Sequence, residues 1–141
     1  MYFSTMIIVT ILGAGNVAHH LYKAFSTSDK IKVNQWYNRQ LDHLQMFKNE
    51  VEIINDISLL KEADVYVIAV SDDAVSELSE RLLFSNKLVV HTSGSVNLHH
   101  LDKKNRRGVF YPLQTFSKDA ELSFNDVPIC IEVEYKADYH I

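Results

Sequence analysis

Ile7-Ile8-Val9-Thr10-Ile11-Leu12-Gly13-Ala14-Gly15-Asn16-Val17-Ala18 is the stretch whose reading decides the fold. Six residues, apolar but for Thr10, stop at Gly13-Ala14-Gly15, and an amphipathic segment begins at once. This is the pattern of a buried parallel strand turning tightly into a helix, the opening of a dinucleotide-binding βαβ unit. Gly13 allows the turn, and Gly15 lacks the Cβ that would hold a pyrophosphate away from the backbone. Ala18 takes the place of the third glycine and is small enough for the helix to press on the strand. The helix N-terminus then offers N–H groups and partial positive charge to phosphates. Ala14, Asn16 and Val17 complete the candidate phosphate turn.

Working outward, apolar segments alternate with helical patterns along the whole chain. Strands are expected at Ile31–Tyr37, Val51–Ile54, Val65–Val70, Leu88–His91, Gly108–Tyr111 and Val127–Val133. Helices are expected at Asn16–Phe25, at Gln40–Asn49 and from Asn55-Asp56 through Ala63. Two more are expected after Ser71-Asp72-Asp73 and around Asn97–Asp102. His19 and His20 are read as lying off the core face of the first helix. The alternation predicts an α/β fold: a Rossmann-type, doubly wound, mostly parallel sheet with helices on both faces. Val127–Val133 alternates apolar and polar residues and contains Pro128, which suits a strand near the sheet edge. Residues 1–141 read as one domain, with residues 1–5 a short extension and Leu113–Phe124 irregular or partly helical.

Composition narrows the function classes. The chain has 141 residues, 47% hydrophobic and 23% charged, with net charge −4. No electrostatic footprint for nucleic acid exists, and Lys103-Lys104 with Arg106-Arg107 reads as a solvated basic turn. The single cysteine, Cys130, excludes an internal disulfide and is read as packed within its strand, in keeping with a reducing, cytoplasmic setting. No apolar run approaches the ~20 residues of a membrane span, and no signal peptide is recognisable.

The identity of the coenzyme turns on the end of the second strand. An NAD site places an acid about 20 residues after the glycines, to hold the ribose 2′-hydroxyl. Here the segment reads Gln35-Trp36-Tyr37-Asn38-Arg39, without an acid. Arg39 would pair with a 2′-phosphate and Asn38 would bond it or the ribose, which favours NADP over NAD. The bland alternative is an Arg39 that is only a surface residue. Ligands in such sheets lie beyond the carboxyl ends of the strands. That edge carries Val70-Ser71-Asp72, Thr92-Ser93-Gly94-Ser95 and Pro112-Leu113-Gln114-Thr115. Val70, Ser71, Asp72 and Ser93 are the candidates for the nicotinamide side, with Ser71 also open to being a helix cap. His91 is open between an acid–base group and a hydrogen-bonded core histidine. A metal site from His91, His99 and His100 is disfavoured, because no Cys or carboxylate completes the set. S-adenosylmethionine binding is disfavoured by the lack of an acid at the end of the first strand. A fold that kept the turn and lost its ligand also stays open.

Four segments together resemble a known family: Gly13–Ala18, Ala69-Val70-Ser71-Asp72-Asp73-Ala74, His91–Ser95 and Gly108-Val109-Phe110-Tyr111-Pro112-Leu113-Gln114-Thr115-Phe116. They are similar to Rossmann-like NADP oxidoreductases in which this domain precedes a helical domain of unknown function (number 2520). Pyrroline-5-carboxylate reductase and the deazaflavin-dependent NADP reductases are wider relatives. The resemblance implies an NADP domain with Asn38-Arg39 as its phosphate-selecting pair. It also implies a C-terminal helical domain that dimerises and closes the site, and this domain is absent from the chain, which stops at Tyr139-His140-Ile141. The expected function is hydride transfer between NADPH and a small carbonyl or imine substrate. The alternative is a nucleotide-sensing or interaction domain without turnover. A homodimer is the expected partner state, and no catalytic residue is assigned.

Overall fold

The computed structural model describes residues 6–112 and 129–135. Seven strands among them join in one sheet: β1 (Ile7–Leu12), β2 (Ile31–Tyr37), β3 (Glu52–Ile54), β4 (Val65–Ile68), β5 (Leu88–His91), β6 (Arg106–Pro112) and β7 (Ile129–Val133). Their order is β3-β2-β1-β4-β5-β6-β7, and only β7 runs antiparallel. Successive strands build outward from β1 to β3, after which the chain crosses back to lay β4 on the other side of β1. That reversal between β1 and β4 is the switch point at which open α/β sheets bind ligands. The Rossmann-type class expected from the alternation is the fold observed.

Each sheet face has its own core. Val9, Ile11, Trp36, Val67 and Val90 point to one face, where α1 (Asn16–Ser26) covers them with Ala18, Leu21 and Tyr22. Leu12, Tyr37, Ile68 and Val89 point to the other, where α2 (Val75–Arg81) adds Val75 and Leu78. The strand period of two thus feeds both layers, so the central strands carry apolar residues on both sides. Thr10, the polar break in β1, is fully buried and donates to Asn34 Oδ1 at 2.6 Å. Asn34 is the residue bulged out of β2, since Val9 pairs with Val33 and Thr10 with Gln35.

The helical expectations are partly corrected. Gln40–Asn49 forms two single 3-10 turns, Leu41–His43 and Gln45–Phe47, rather than one helix. Each turn closes on the carbonyl three residues back, and only Leu44 of the segment is fully buried, beneath α1. The segment from Asn55 shrinks to a turn at Ile57–Leu59, with Asp56 accepting from the Ser58 N–H at 2.9 Å. Leu98–His100 is likewise one turn, capped by Asn97. Ser71 caps nothing with its side chain, and α2 begins only at Val75. His20 is buried, and His19 packs edge-on against Trp36 with ring centroids 5.1 Å apart, so the histidine pair is part of the packing.

The basic run is corrected too. Arg106 and Arg107 lie in β6, not in a solvated turn. Lys104 Nζ donates to the carbonyls of Glu80 and Leu82 at 2.8 and 2.5 Å. Arg107 pairs with Glu134, which follows β7, and holds that carboxyl below its ordinary range. The β7 edge position holds, over Ile129–Val133. Met1–Thr5, Leu113–Phe124, Val127, Pro128, the Cys130 side chain and residues 139–141 lie outside what is described.

Candidate functional site

The site is built where β1 ends. Gly13 has φ +121°, a conformation that side chains avoid, and a Cβ there would stand 2.3 Å from the Ala69 carbonyl oxygen. Its N–H donates to Tyr37 O at 2.8 Å, and its carbonyl accepts from the buried Trp36 Nε1 at 2.6 Å. The Ala69 N–H donates to Leu12 O at 2.7 Å. One turn therefore ties the ends of β1, β2 and β4 together.

Gly15 is a different kind of glycine. It is the N-cap of α1, with φ −79° and ψ −168°, which any residue adopts. A Cβ added to it would meet nothing within 4 Å. Its carbonyl accepts from the His19 N–H at 3.1 Å and from His19 Nδ1 at 2.9 Å, which fixes that ring nitrogen as a donor. The N-cap position, a glycine, makes no side-chain cap bond to the first turn of α1, and no acid sits in that turn. The helix end thus keeps its partial positive charge facing outward.

In front of this turn lies a cleft of about 710 Å³. Ala14, Gly15, Asn16 and Val17 form its floor, and Asn38 and Arg39 line it beyond β2. Val70, Ser71, Asp72 and Ser93 line it beyond β4 and β5. Every residue assigned to the coenzyme from the sequence is therefore in the lining except Gly13, which is buried behind it; His91, Gly94 and Ser95 are not in the lining, and residues 113–115 lie outside what is described. From β2 to β5 is three strand spacings, about 14 Å. Thr92 lines the cleft with its loop, as its place at the sheet edge predicts, and Gln40, His43 and Ala69 line it without having been assigned to it from the sequence. Gln40 and His43 were hidden by the helix expected there; the polar residues Gln40, Asp42 and His43 around Leu41 were the available signal.

The β2 end carries no carboxylate in the lining. Asn38 N–H donates to Ile54 O at 3.0 Å, and its Nδ2 donates to Gln40 O at 2.7 Å, which turns the chain over the cleft. Arg39 is exposed beside it.

The opposite end is a hydrogen-bonded set. Ser95 Oγ donates to Asp72 Oδ2 at 2.6 Å, and the Ser95 N–H donates to Ser93 Oγ at 3.2 Å. The Ser95 and Ser93 hydroxyls are themselves 3.2 Å apart. Bonds from Ser95 and Ser93 hold the Asp72 carboxyl below its usual range. His91 is fully buried, and its Nδ1 accepts from the Ser93 N–H at 3.0 Å. Burial, the largest influence, pulls its pKa below the ordinary histidine value. His99 and His100 are exposed on their turn. Among the described residues no cluster of His, Cys, Asp or Glu is arranged to hold a metal. No helix among them is long and apolar enough to cross a membrane.

Comparison with known proteins agrees with this geometry. Residues 8–94, from β1 to the loop after β5, match the family described as NADP oxidoreductase, coenzyme F420-dependent. The chain belongs to that family. The match includes the Gly13–Val17 turn, the Asn38-Arg39 pair, the loop after β4 and the loop after β5 as far as Gly94. Among solved structures, a proposed NADP oxidoreductase from Bacteroides fragilis is 30% identical, with TM-score 0.80. That alignment covers 94% of this chain and 54% of the Bacteroides protein. A Thermotoga maritima protein is 19% identical over 91% of this chain and 50% of its own, with TM-score 0.69. A semialdehyde dehydrogenase NAD-binding protein from Cupriavidus necator, solved with calcium and NAD, is 18% identical over 84% of this chain and 46% of its own, at TM-score 0.63. The last two are likenesses of fold alone. This chain therefore spans about half the length of these neighbours. No curated protein matches it.

Proposed function

We propose that the cleft binds a nicotinamide dinucleotide, NADP in preference to NAD. In this reading the chain is the coenzyme domain of an oxidoreductase that moves hydride to or from a small carbonyl or imine. The observation that carries the reading is Gly15. Neither its backbone angles nor any neighbour among the described residues requires a glycine, so the missing Cβ is read as serving something that occupies the cleft. A pyrophosphate lying on the Ala14–Val17 amides is that occupant, drawn by the uncapped helix end. Gly13 serves the fold instead, by letting Ala69 close on the turn.

Asn38 and Arg39 are assigned to the adenosine phosphate, because a guanidinium favours a 2′-phosphate where an acid would repel it. Val70, Ser71, Asp72 and Ser93 would flank the nicotinamide half. When bound, the coenzyme supplies the hydride; the chain binds and orients it. Asp72 is held ionised by its serine bonds, which suits it to fix the two loops rather than to protonate a reduced carbonyl. The family description names coenzyme F420, so a deazaflavin stands beside a carbonyl or imine as the hydride partner. The domain of the sequence resemblance that closes the site belongs to the same proposal, as do a homodimer and a cytoplasmic setting.

The test is a titration of NADPH and NADH followed by coenzyme fluorescence. NADPH should bind at least about tenfold more tightly, the equivalent of one charge-assisted contact. Binding of neither coenzyme removes the proposal.

A further inference from the structure

His91 is a buried group beside the cleft whose protonation state the geometry dictates. Its Nδ1 faces the Ser93 N–H at 3.0 Å, and a backbone N–H can only donate. Nδ1 must therefore carry no proton, which places the ring hydrogen of the neutral imidazole on Nε2. Nε2 is buried and has no hydrogen-bond partner among the described residues. A fully enclosed side chain thus uses one nitrogen to hold the backbone of Ser93, while the backbone of Asn97 and Val96 lies near the ring and favours a proton on it. That arrangement has a consequence for the cleft, because Ser93 lines it.

The loop after β5 has two anchors. Below, His91 accepts from Ser93; across the mouth, Asp72 accepts from Ser95, whose amide in turn donates to Ser93 Oγ. The upper anchor is exposed and joins side chains that move easily. The lower anchor is a strand residue, locked between Ile68 of β4 and Val109 of β6. We propose that His91 is a positioning residue: as the Nε2-protonated neutral imidazole, it holds the Thr92–Ser95 loop so that Ser93 faces the nicotinamide half of the bound coenzyme. This rests on the coenzyme reading above and extends it to a residue that does not line the cleft.

Protonating His91 places an N–H where the Ser93 N–H already points, so the lower anchor becomes two donors facing each other. Two titratable groups act on the ring. Asp72, from the loop after β4, favours the proton, and His100, from the turn after β5, opposes it. Burial opposes it most, so the neutral form persists to below the ordinary value of 6.5. Coenzyme affinity should accordingly be full above that pH and fall as the solution is acidified through the His91 transition.

The experiment measures NADPH affinity by fluorescence between pH 7.5 and 5 for the wild type, His91→Asn and His91→Phe. Asparagine puts Oδ1 where Nδ1 stood and does not titrate; phenylalanine fills the space and cannot accept. The wild type should lose about tenfold more affinity over this range than His91→Asn, which cancels titration of the coenzyme's own phosphate. His91→Phe should bind about tenfold more weakly than wild type at pH 7.5 while melting cooperatively. An acid profile of His91→Asn that matches the wild type overturns the proposal, as does wild-type affinity in His91→Phe. Failure of the wild type to bind NADPH at pH 7.5 would refute the coenzyme reading alone. The Ser93 amide resonance of the ligand-free protein reads the anchor independently. A single step below pH 6.5, absent in His91→Asn, supports it, and no step refutes it.

Discussion

Gly13 and Gly15 stand two residues apart, and the fold requires only the first to be glycine, so a pair of substitutions separates folding from the proposed binding. In Gly13→Ala the new Cβ meets Ala69 O at 2.3 Å, Ala69 C at 2.7 Å and Val70 Cγ1 at 2.9 Å, at φ +121°. Two of those atoms are backbone and cannot swing aside. The dihedral costs about 1–3 kcal/mol for a non-glycine residue, and the overpacking a similar amount. The sum, about 2–6 kcal/mol, is a large part of a domain stability of about 5–15 kcal/mol. Tm should fall by roughly 6–18 °C at about 3 °C per kcal/mol for a chain of this size. Gly15→Val should behave otherwise. Its backbone angles suit valine and the side chain enters open space. The weaker N-cap preference costs about 1 kcal/mol or less, and the lost glycine entropy offsets part of that. Binding should collapse, because the side chain stands where the pyrophosphate meets the amides. Losing two charge-assisted hydrogen bonds at about 1.5–3 kcal/mol each weakens binding by about two to four orders of magnitude. Differential scanning fluorimetry and an NADPH titration on the same samples read both effects. A Gly15→Val protein that binds NADPH within about threefold of wild type refutes the phosphate turn. A Gly13→Ala protein with unchanged Tm refutes the steric assignment.

Other outcomes follow from single contacts. Arg39→Glu should lower NADPH affinity at least about tenfold while changing NADH little, since a carboxylate repels only the extra phosphate; a mutant that still prefers NADPH in titration removes the role of Arg39. Trp36→Phe keeps most of the packing but deletes the 2.6 Å bond to the Gly13 carbonyl. It should cost about 1–3 kcal/mol in urea unfolding, and weaken NADPH binding as the turn loosens. Arg107→Gln breaks the pair to Glu134, which joins β6 to the end of β7, and should cost about 1 kcal/mol in the same assay. Folding lowers the Glu134 pKa, so between its folded and unfolded values the unfolded chain binds more protons. That increment of stability is complete above the unfolded value and is lost as pH falls through the folded one. Acid denaturation of Arg107→Gln should lack it, and identical acid profiles for mutant and wild type would count against the pair.

The sheet was legible because the central strands are short continuous apolar runs, and such runs between turn residues have few alternatives. β1 and β5 are found within the residues expected of them, and Val75, Leu78 and Leu82 are buried as their spacing requires. The 40–49 segment was misread because Leu41, Leu44 and Phe47 recur every three residues, which fits a helix and equally fits successive 3-10 turns. Only tertiary contact separates the two, here Leu44 packing beneath α1. Of the site, the phosphate turn and the Asn38-Arg39 pair were readable because glycine placement and an absent acid are local signals. The Asp72–Ser95 bond was not, since it joins residues 23 apart that only the β4–β5 pairing brings together. His20 was misplaced for a similar reason: a helical wheel shows which side a residue takes, not how closely the rest of the fold encloses it.

Stability and binding are coupled in this domain through one backbone contact. Gly13 presses on Ala69, and the chain after Ala69 becomes Val70, Ser71 and Asp72, a wall of the cleft. The distance between floor and wall is thus set by how closely two main chains approach, not by side chains that could repack. A substitution that forces Gly13 and Ala69 apart unfolds the protein and widens the cleft together. A ligand bridging the Ala14–Val17 amides and the loop after β4 resists the same separation. Bound coenzyme at a hundred times its Kd should therefore raise the unfolding free energy by about 2.7 kcal/mol. In Gly13→Ala the thermal shift with NADPH should be smaller than in wild type, because the misplaced wall weakens the binding that produces it. An equal shift in both proteins at equal ligand would mean that floor and wall respond separately.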